Sequence, residues 1–201
     1  MTTSARGLRP IDVRRQQKQA NRDTMVAAAS ELFDSVGYAG TTMEAVAAAS
    51  GMSVQSVYFA FHSKAGLLRA ALEASTPPGS SEPLDRDPDV ALRQLVEAAR
   101  RILEASAGLA LAAAAAAPGD EDAAEFHRAQ EALRSKAAAD LVNQLRRRRP
   151  LAPGVTARRV GDVAFGLLSP QLHAVMVRDR GWTSQRYAGW VGDAIGRALW
   201  G

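Results

Sequence analysis

TTMEAVAAASGMSVQSVYFAFHSKAGLLRAAL, Thr41 to Leu72, is the stretch whose reading decides the fold. Ala47, Gly51 and Val57 stand at the spacing of a helix-turn-helix, and each residue type has a steric reason to be there. A small residue at Ala47 lets two helices cross closely. Gly51 can take the left-handed conformation a tight turn requires, and Val57 packs the second helix back onto the first. The neighbouring residues supply helix ends. Thr41-Thr42-Met43-Glu44 reads as a capping box, with the Thr41 hydroxyl on a backbone amide and Glu44 reaching back. Ser53 caps a short helix through Phe59, and Ser63 caps another from Lys64 to Ala74.

Upstream, Val26, Ala29, Leu32, Phe33 and Val36 recur at helical spacing and Gly37 follows as a C-terminal cap, which predicts a helix from Val13 to Val36. Downstream, STPPGSSEPLDRDPD (Ser75 to Asp89) has four prolines and no apolar periodicity, so it reads as a linker between a domain over 1–75 and another over 76–201. Beyond it, Leu92, Leu95, Val96, Ala99, Ile102 and Leu103 form one apolar face, and Phe126, Leu133, Ala137 and Leu141 another. Ala112 to Ala117 predicts a short helix stopped by Pro118-Gly119. A long helix from Asp120 to the Arg146–Arg149 run and Pro150 follows. Then come helices over Thr156 to Leu168, Pro170 to Asp179 and Ser184 to Leu199. Nothing alternates with period two, so the fold class is all-α.

The composition narrows the function classes. Apolar residues make up 47% of the 201, yet no uninterrupted apolar run approaches the roughly 20 residues a membrane helix needs. The N-terminal MTTSARGLRPIDVRRQQK lacks the apolar centre of a secretory signal, so a cytoplasmic protein with no membrane partner is expected. With no cysteine and three scattered histidines (His62, His127, His173), neither a metal nor a cofactor is expected. No nucleophile elbow, metal motif or glycine-rich phosphate loop supports an enzyme. Net charge is only +4, but Arg6, Arg9, Arg14, Arg15, Lys18 and Arg22 face a single acid, Asp12, within the first 22 residues. That end suits a polyanion.

The run Thr41 to Leu72 resembles the DNA-binding region of the TetR family of transcriptional regulators. The resemblance is carried, in order and spacing, by Thr41-Thr42, Ala47, Gly51, Tyr58, Phe61 and Ser63-Lys64. It implies a three-helix helix-turn-helix DNA-binding domain before a helical ligand-binding and dimerisation domain. The implied function is a homodimer on a near-palindromic double-stranded DNA operator, acting as a repressor that answers a small-molecule effector. On this resemblance Val54, Gln55, Ser56 and Phe59 face the major groove, while Thr42, Tyr58 and Lys64 contact phosphates. The chemistry agrees, since glutamine can bond adenine bidentately, Val54 can touch a thymine methyl, and a lysine at a helix start meets a phosphate beside free amides. Ala60 departs from the pattern, where a polar residue touching the DNA backbone is usual, and so does His62. Phe59 replaces a commonly polar residue and either reads a methyl group or packs against sugar. Arg14 and Arg15 belong to a basic stretch that either enters the minor groove like a homeodomain arm or stays solvated.

Asp162 to Ile195 resembles the closing segment of a TetR subfamily, in which the last long helices form the dimer interface as a four-helix bundle. On the final helix Tyr187, Val191, Ala194, Ile195 and Ala198 share one face, and Gly189, Gly192 and Gly196 the opposite one. Glycine inside a helix costs roughly 0.8 to 1 kcal/mol relative to alanine. Either the glycine face meets a partner helix closely, or it is a solvent stripe that tolerates glycine. For the effector, Gln130 and His127 either orient a ligand or bond neighbouring helices and water. Leu103, Phe126 and Phe165 are either pocket or core. The arginines Arg146 to Arg149 read as cations meeting a helix dipole, worth roughly 0.3 to 1 kcal/mol each.

Overall fold

Glycine and hydroxyl residues set the helix boundaries of the first part of the chain. In the computed structural model, which describes residues 10–77 and 83–201, α1 runs Pro10–Gly40 with a break at Gly37, whose φ of 74° ends the regular helix after Val36. α2 (Met43–Ser50) is capped by Thr42, whose hydroxyl accepts from the Ala45 amide at 3.1 Å. A single cap thus stands where a capping box was expected: Thr41 is fully buried and donates its hydroxyl to the Gly37 carbonyl at 2.8 Å, so it closes the preceding turn instead. Gly51 adopts φ 69° and caps α2. Ser53 then caps α3 (Val54–Phe61), and the Ser63 hydroxyl accepts from the Gly66 amide at the start of α4 (Lys64–Ser75). Val46, Val57, Leu67 and Leu68 are fully buried, and Ala47 nearly so, as the close crossing of α2 and α3 requires.

The chain divides between Ala71 and Leu72 into two compact units. The second contains α5 (Pro88–Ala116), α6 (Glu121–Arg146), α7 (Ala157–Leu167), α8 (Pro170–His173) continued by a π-helical stretch Ala174–Asp179, and α9 (Ser184–Trp200). The alanine run is not a separate short helix. It is the C-terminal end of the 29-residue α5, because nothing between Leu103 and Ala112 breaks the helix. Asp87, Asp120, Thr156, Ser169 and Thr183 cap the helices that follow them. Among the described residues there is no strand.

The core of this unit is built by Leu92, Val96 and Leu103 of α5, Leu141, Val142 and Leu145 of α6, Val160 and Ala164 of α7, and Tyr187, Val191, Ile195 and Leu199 of α9. The Tyr187 hydroxyl donates to the Leu167 carbonyl, which ties α9 to the end of α7. Burial pushes that phenol up to about 12. The arginine run has partners more specific than a dipole. Arg148 donates to the Asp85 and Leu84 carbonyls at 2.6 and 3.2 Å, and Arg149 pairs with Asp89 at 2.7 Å while lying over the Trp200 ring. Arg146 and Arg147 remain exposed.

Candidate nucleic-acid interface and effector cavity

Packing decides which side chains of α3 are free to meet a partner. Val57 and Phe61 point into the core, so Gln55, Ser56, Tyr58 and Phe59 are left outward and Val54 half-buried. Phe59 is 72% accessible and Tyr58 46%. Ser56 is partly spent on the cap, its hydroxyl lying 2.8 Å from that of Ser53. Gln55 keeps its amide uncommitted on the exposed face, one turn before Phe59.

Basic side chains surround this face, and two of them act within the head. Arg22 of α1 donates to the Ala60 carbonyl at 2.7 Å and lies 4.4 Å from the Phe61 ring, fastening α1 to the end of α3. Lys64 donates to the Tyr38 carbonyl at 2.8 Å and sits 4.2 Å above the Tyr38 ring. The phosphate-contact candidate is therefore also a strut of the turn after α1, with further ammonium hydrogens to offer. Lys18 lies 5.6 Å over the Phe59 ring. Arg14 and Arg15 are exposed on the first turns of α1, whereas Arg6 and Arg9 of the basic stretch lie outside the described residues. The sequence places Arg22 and Lys18 in the basic stretch but not against α3, because partners about forty residues away leave no periodic trace.

The turn after α3 has unusual geometry. His62 has φ 65° and ψ −44°, the one positive φ at a non-glycine among the described residues. Its amide donates to the Tyr58 carbonyl at 2.8 Å and the Ser63 amide to the Phe61 carbonyl at 2.7 Å, a three-residue turn of the strained kind. The Phe61 carbonyl is thereby aimed at α4, where a Cβ on Gly66 would lie 2.2 Å from its oxygen.

In the second unit a cavity of about 450 Å³ opens among α5, α6 and α7. Of the candidates for ligand contact, Leu103, His127, Gln130 and Phe165 line it. Phe126, buried at 4% exposure, is not among the residues that line it. One member of the expected apolar stripe on α6 turns outward. Leu133 is 60% exposed, while Ala137 and Leu141 line the wall with His127, Gln130, Glu131 and Arg134. Arg134 pairs with Glu131 at 2.5 Å, donates to the Phe165 carbonyl at 3.0 Å and lies 4.5 Å over the Phe165 ring. Sequence reading had no means to find this clamp, because α6 and α7 are separated in the chain.

The glycines of α9 floor a shallower groove of about 730 Å³ beside α5, with Asp89, Arg93 and Glu97 on one bank and Asp193 and Arg197 on the other. At Gly189 and Gly192 no atom stands within 4 Å of where a Cβ would be, whereas at Gly196 Leu92 of the same chain is 3.4 Å away. Gly196 thus already packs on its own α5, and the open part of the stripe is Gly189 and Gly192.

Residues 25–71 match the family described as bacterial regulatory proteins, tetR family. No curated protein sequence matches the chain. Among solved structures it is similar to NalD, the secondary repressor of the MexAB-OprM multidrug efflux pump in Pseudomonas aeruginosa. The two share 22% identity over 92% of this chain and 98% of that one, with a TM-score of 0.68. A linker-substituted HlyIIR is similar at 14% identity, covering 90% and 96% of the two chains, with a TM-score of 0.64. A transcriptional regulator from Rhodococcus sp. Rha1 shares 17% identity over 88% and 95%, with a TM-score of 0.63. These likenesses show the fold. Residues 25–71 are thus a DNA-binding region of the tetR family of bacterial regulatory proteins, carried on an all-helical fold that the chain shares with solved regulators.

Proposed function

We propose that the protein is a cytoplasmic, ligand-responsive repressor that binds a near-palindromic operator as a homodimer. On this reading 1–75 is the DNA-binding domain and 76–201 the ligand-binding and dimerisation domain. The observation that carries it is the outward face of α3, where an uncommitted Gln55 amide lies beside exposed Tyr58 and Phe59 on a helix held by Arg22 and the Ser53 cap. Gln55, Val54, Ser56 and Phe59 read the major groove, and Thr42, Tyr58, Lys64, Arg14 and Arg15 meet the backbone. A two-fold dimer sets two such helices in successive major grooves, roughly 34 to 36 Å apart. Gly189 and Gly192, open to approach, meet the partner's helix, with Gly196 at the end of the stripe.

An effector in the 450 Å³ cavity releases DNA only by binding the operator-competent state less well, a coupling typically on the order of 1 to 3 kcal/mol. The test is binding to a duplex selected from a random pool, compared with an unselected duplex at one salt concentration. Gln55→Ala should lose about 1 to 3 kcal/mol of discrimination at one base pair while keeping non-specific affinity. If Gln55→Ala ranks operator variants as the parent does, the assigned register of α3 is wrong.

A further inference from the structure

The chemistry of the cavity wall defines what can enter it. Every charged group there already has a partner in the protein. Arg134 is held by the Glu131 carboxylate, the Phe165 carbonyl and the Phe165 ring, and Asp140 pairs with Lys136 at 2.5 Å. The Ser106 hydroxyl donates to the Ile102 carbonyl at 2.6 Å. What stays uncommitted is His127 and Gln130, one helical turn apart on α6, Gln144 further along the same helix, and Gln171 on α8. The remainder is small and apolar, with Ala110, Ala113, Ala138 and Leu141 forming the inner surface. Gln130 and Gln144 are fourteen residues apart, roughly 21 Å along the helix axis, so the cavity is long, with His127 and Gln130 toward one end of it.

Resting on the reading of this cavity as the effector site, we propose that its ligand is an uncharged, largely apolar molecule with a hydrogen-bonding group at one end, such as a phenol, an alcohol or an amide. An anion at Arg134 would stand beside the Glu131 carboxylate that already pairs with it at 2.5 Å, and a cation at Glu131 or Asp140 would stand beside Arg134 or Lys136. Either ligand sheds water to meet a pair whose net charge is zero, so attraction and repulsion largely offset each other. A neutral polar end loses little water and finds the Gln130 amide and the His127 imidazole, both of which can donate or accept.

Four matched fluorescent probes test this on the full chain: pyrenebutanol, pyrenebutylamine, pyrenebutyrate and the hydrocarbon butylpyrene, each titrated at neutral pH. Pyrenebutanol should bind more than about tenfold tighter than the amine or the carboxylate. Gln130→Leu should weaken pyrenebutanol by roughly two- to tenfold, toward the level of butylpyrene, while butylpyrene itself is unaffected. Ile102→Trp, which fills the mouth from a position already 40% exposed, should block all four. Tighter binding of either charged probe overturns the proposal, as does equal loss of alcohol and hydrocarbon in Gln130→Leu, or pyrenebutanol binding that survives Ile102→Trp. Absence of binding by all four overturns the cavity as a ligand site. If pyrenebutanol binds as expected but leaves operator affinity unchanged, the ligand class stands and it is the ligand-responsive part of the repressor reading that fails.

Discussion

Gly66→Ala separates the geometry of this head from ordinary helix propensity, because the two predict opposite signs. Gly66 lies in the first turn of α4, where replacing glycine by alanine ordinarily stabilises by up to about 0.8 to 1 kcal/mol. Here the new Cβ would stand 2.2 Å from the Phe61 carbonyl oxygen and has to recede by almost an ångström to reach the 3.0 Å that real contacts respect. Neither side yields easily. The oxygen is backbone at the end of α3, fixed by the His62 turn, and the Gly66 amide is tied to the Ser63 hydroxyl at 3.0 Å. Overpacking of this kind costs roughly 1 to 3 kcal/mol, so the net effect is a loss of up to about 2 kcal/mol. The loss should be confined to the head, and the placement of the fluorophores lets this be seen. All three tryptophans, Trp182, Trp190 and Trp200, belong to the second unit. In urea titrations, far-UV circular dichroism should show an earlier helix-loss phase while the tryptophan emission midpoint stays put. Operator affinity should fall as well, since relief of the clash moves the end of α3. A head that is unchanged or stabilised would refute the reasoning, by showing that the turn at His62 relaxes freely.

Lys64→Met keeps the aliphatic stem but removes the hydrogen bond to the Tyr38 carbonyl and the cation over the Tyr38 ring, and it should destabilise the head by about 1 to 3 kcal/mol in the same titration. An unchanged midpoint would mean that the ammonium serves DNA alone. His173 is buried, edge-on to the Tyr187 ring, and burial lowers its imidazole below the usual 6.5, against a smaller opposing influence of Glu104. The unfolded chain then binds the proton more readily than the folded one. The stability of the second unit is therefore full above the unfolded value and declines as pH falls below it. His173→Phe should remove that part of the acid slope, and a slope identical to the parent's would place its origin elsewhere. On the proposed homodimer, Gly192→Leu should raise helix propensity in α9 yet split the dimer in sedimentation and abolish operator binding with the head still folded. An intact, operator-binding dimer would move the interface to another face of α9.

The head was legible because its determinants are local. Gly51 had to be left-handed, Val57 had to return to the core, and Ser53 and Ser63 had to close helix starts. Each constraint acts within a few residues and has few substitutes. The cap slipped by one residue because two adjacent threonines offer the same hydroxyl, and only the depth of the Gly37 turn decides which is buried. The cavity was legible in part for the same reason. Gln130 and His127 stand out on α6 because polar groups beside an apolar stripe need partners, and that need is visible in one helix. Which member of the stripe turns outward is not visible there. Leu133 and Arg134 are adjacent, and the apolar residue carries the stronger inward signal, yet Arg134 is turned to the wall because Glu131 neutralises it and the ring and carbonyl of Phe165, on α7, cover it. A charged side chain can thus outrank a leucine for a wall position when its compensation comes from another helix. Such compensation has no sequence period. This is also why the charges of the cavity say little about a ligand until their partners are known: Glu131 with Arg134, and Asp140 with Lys136, are paired within the fold.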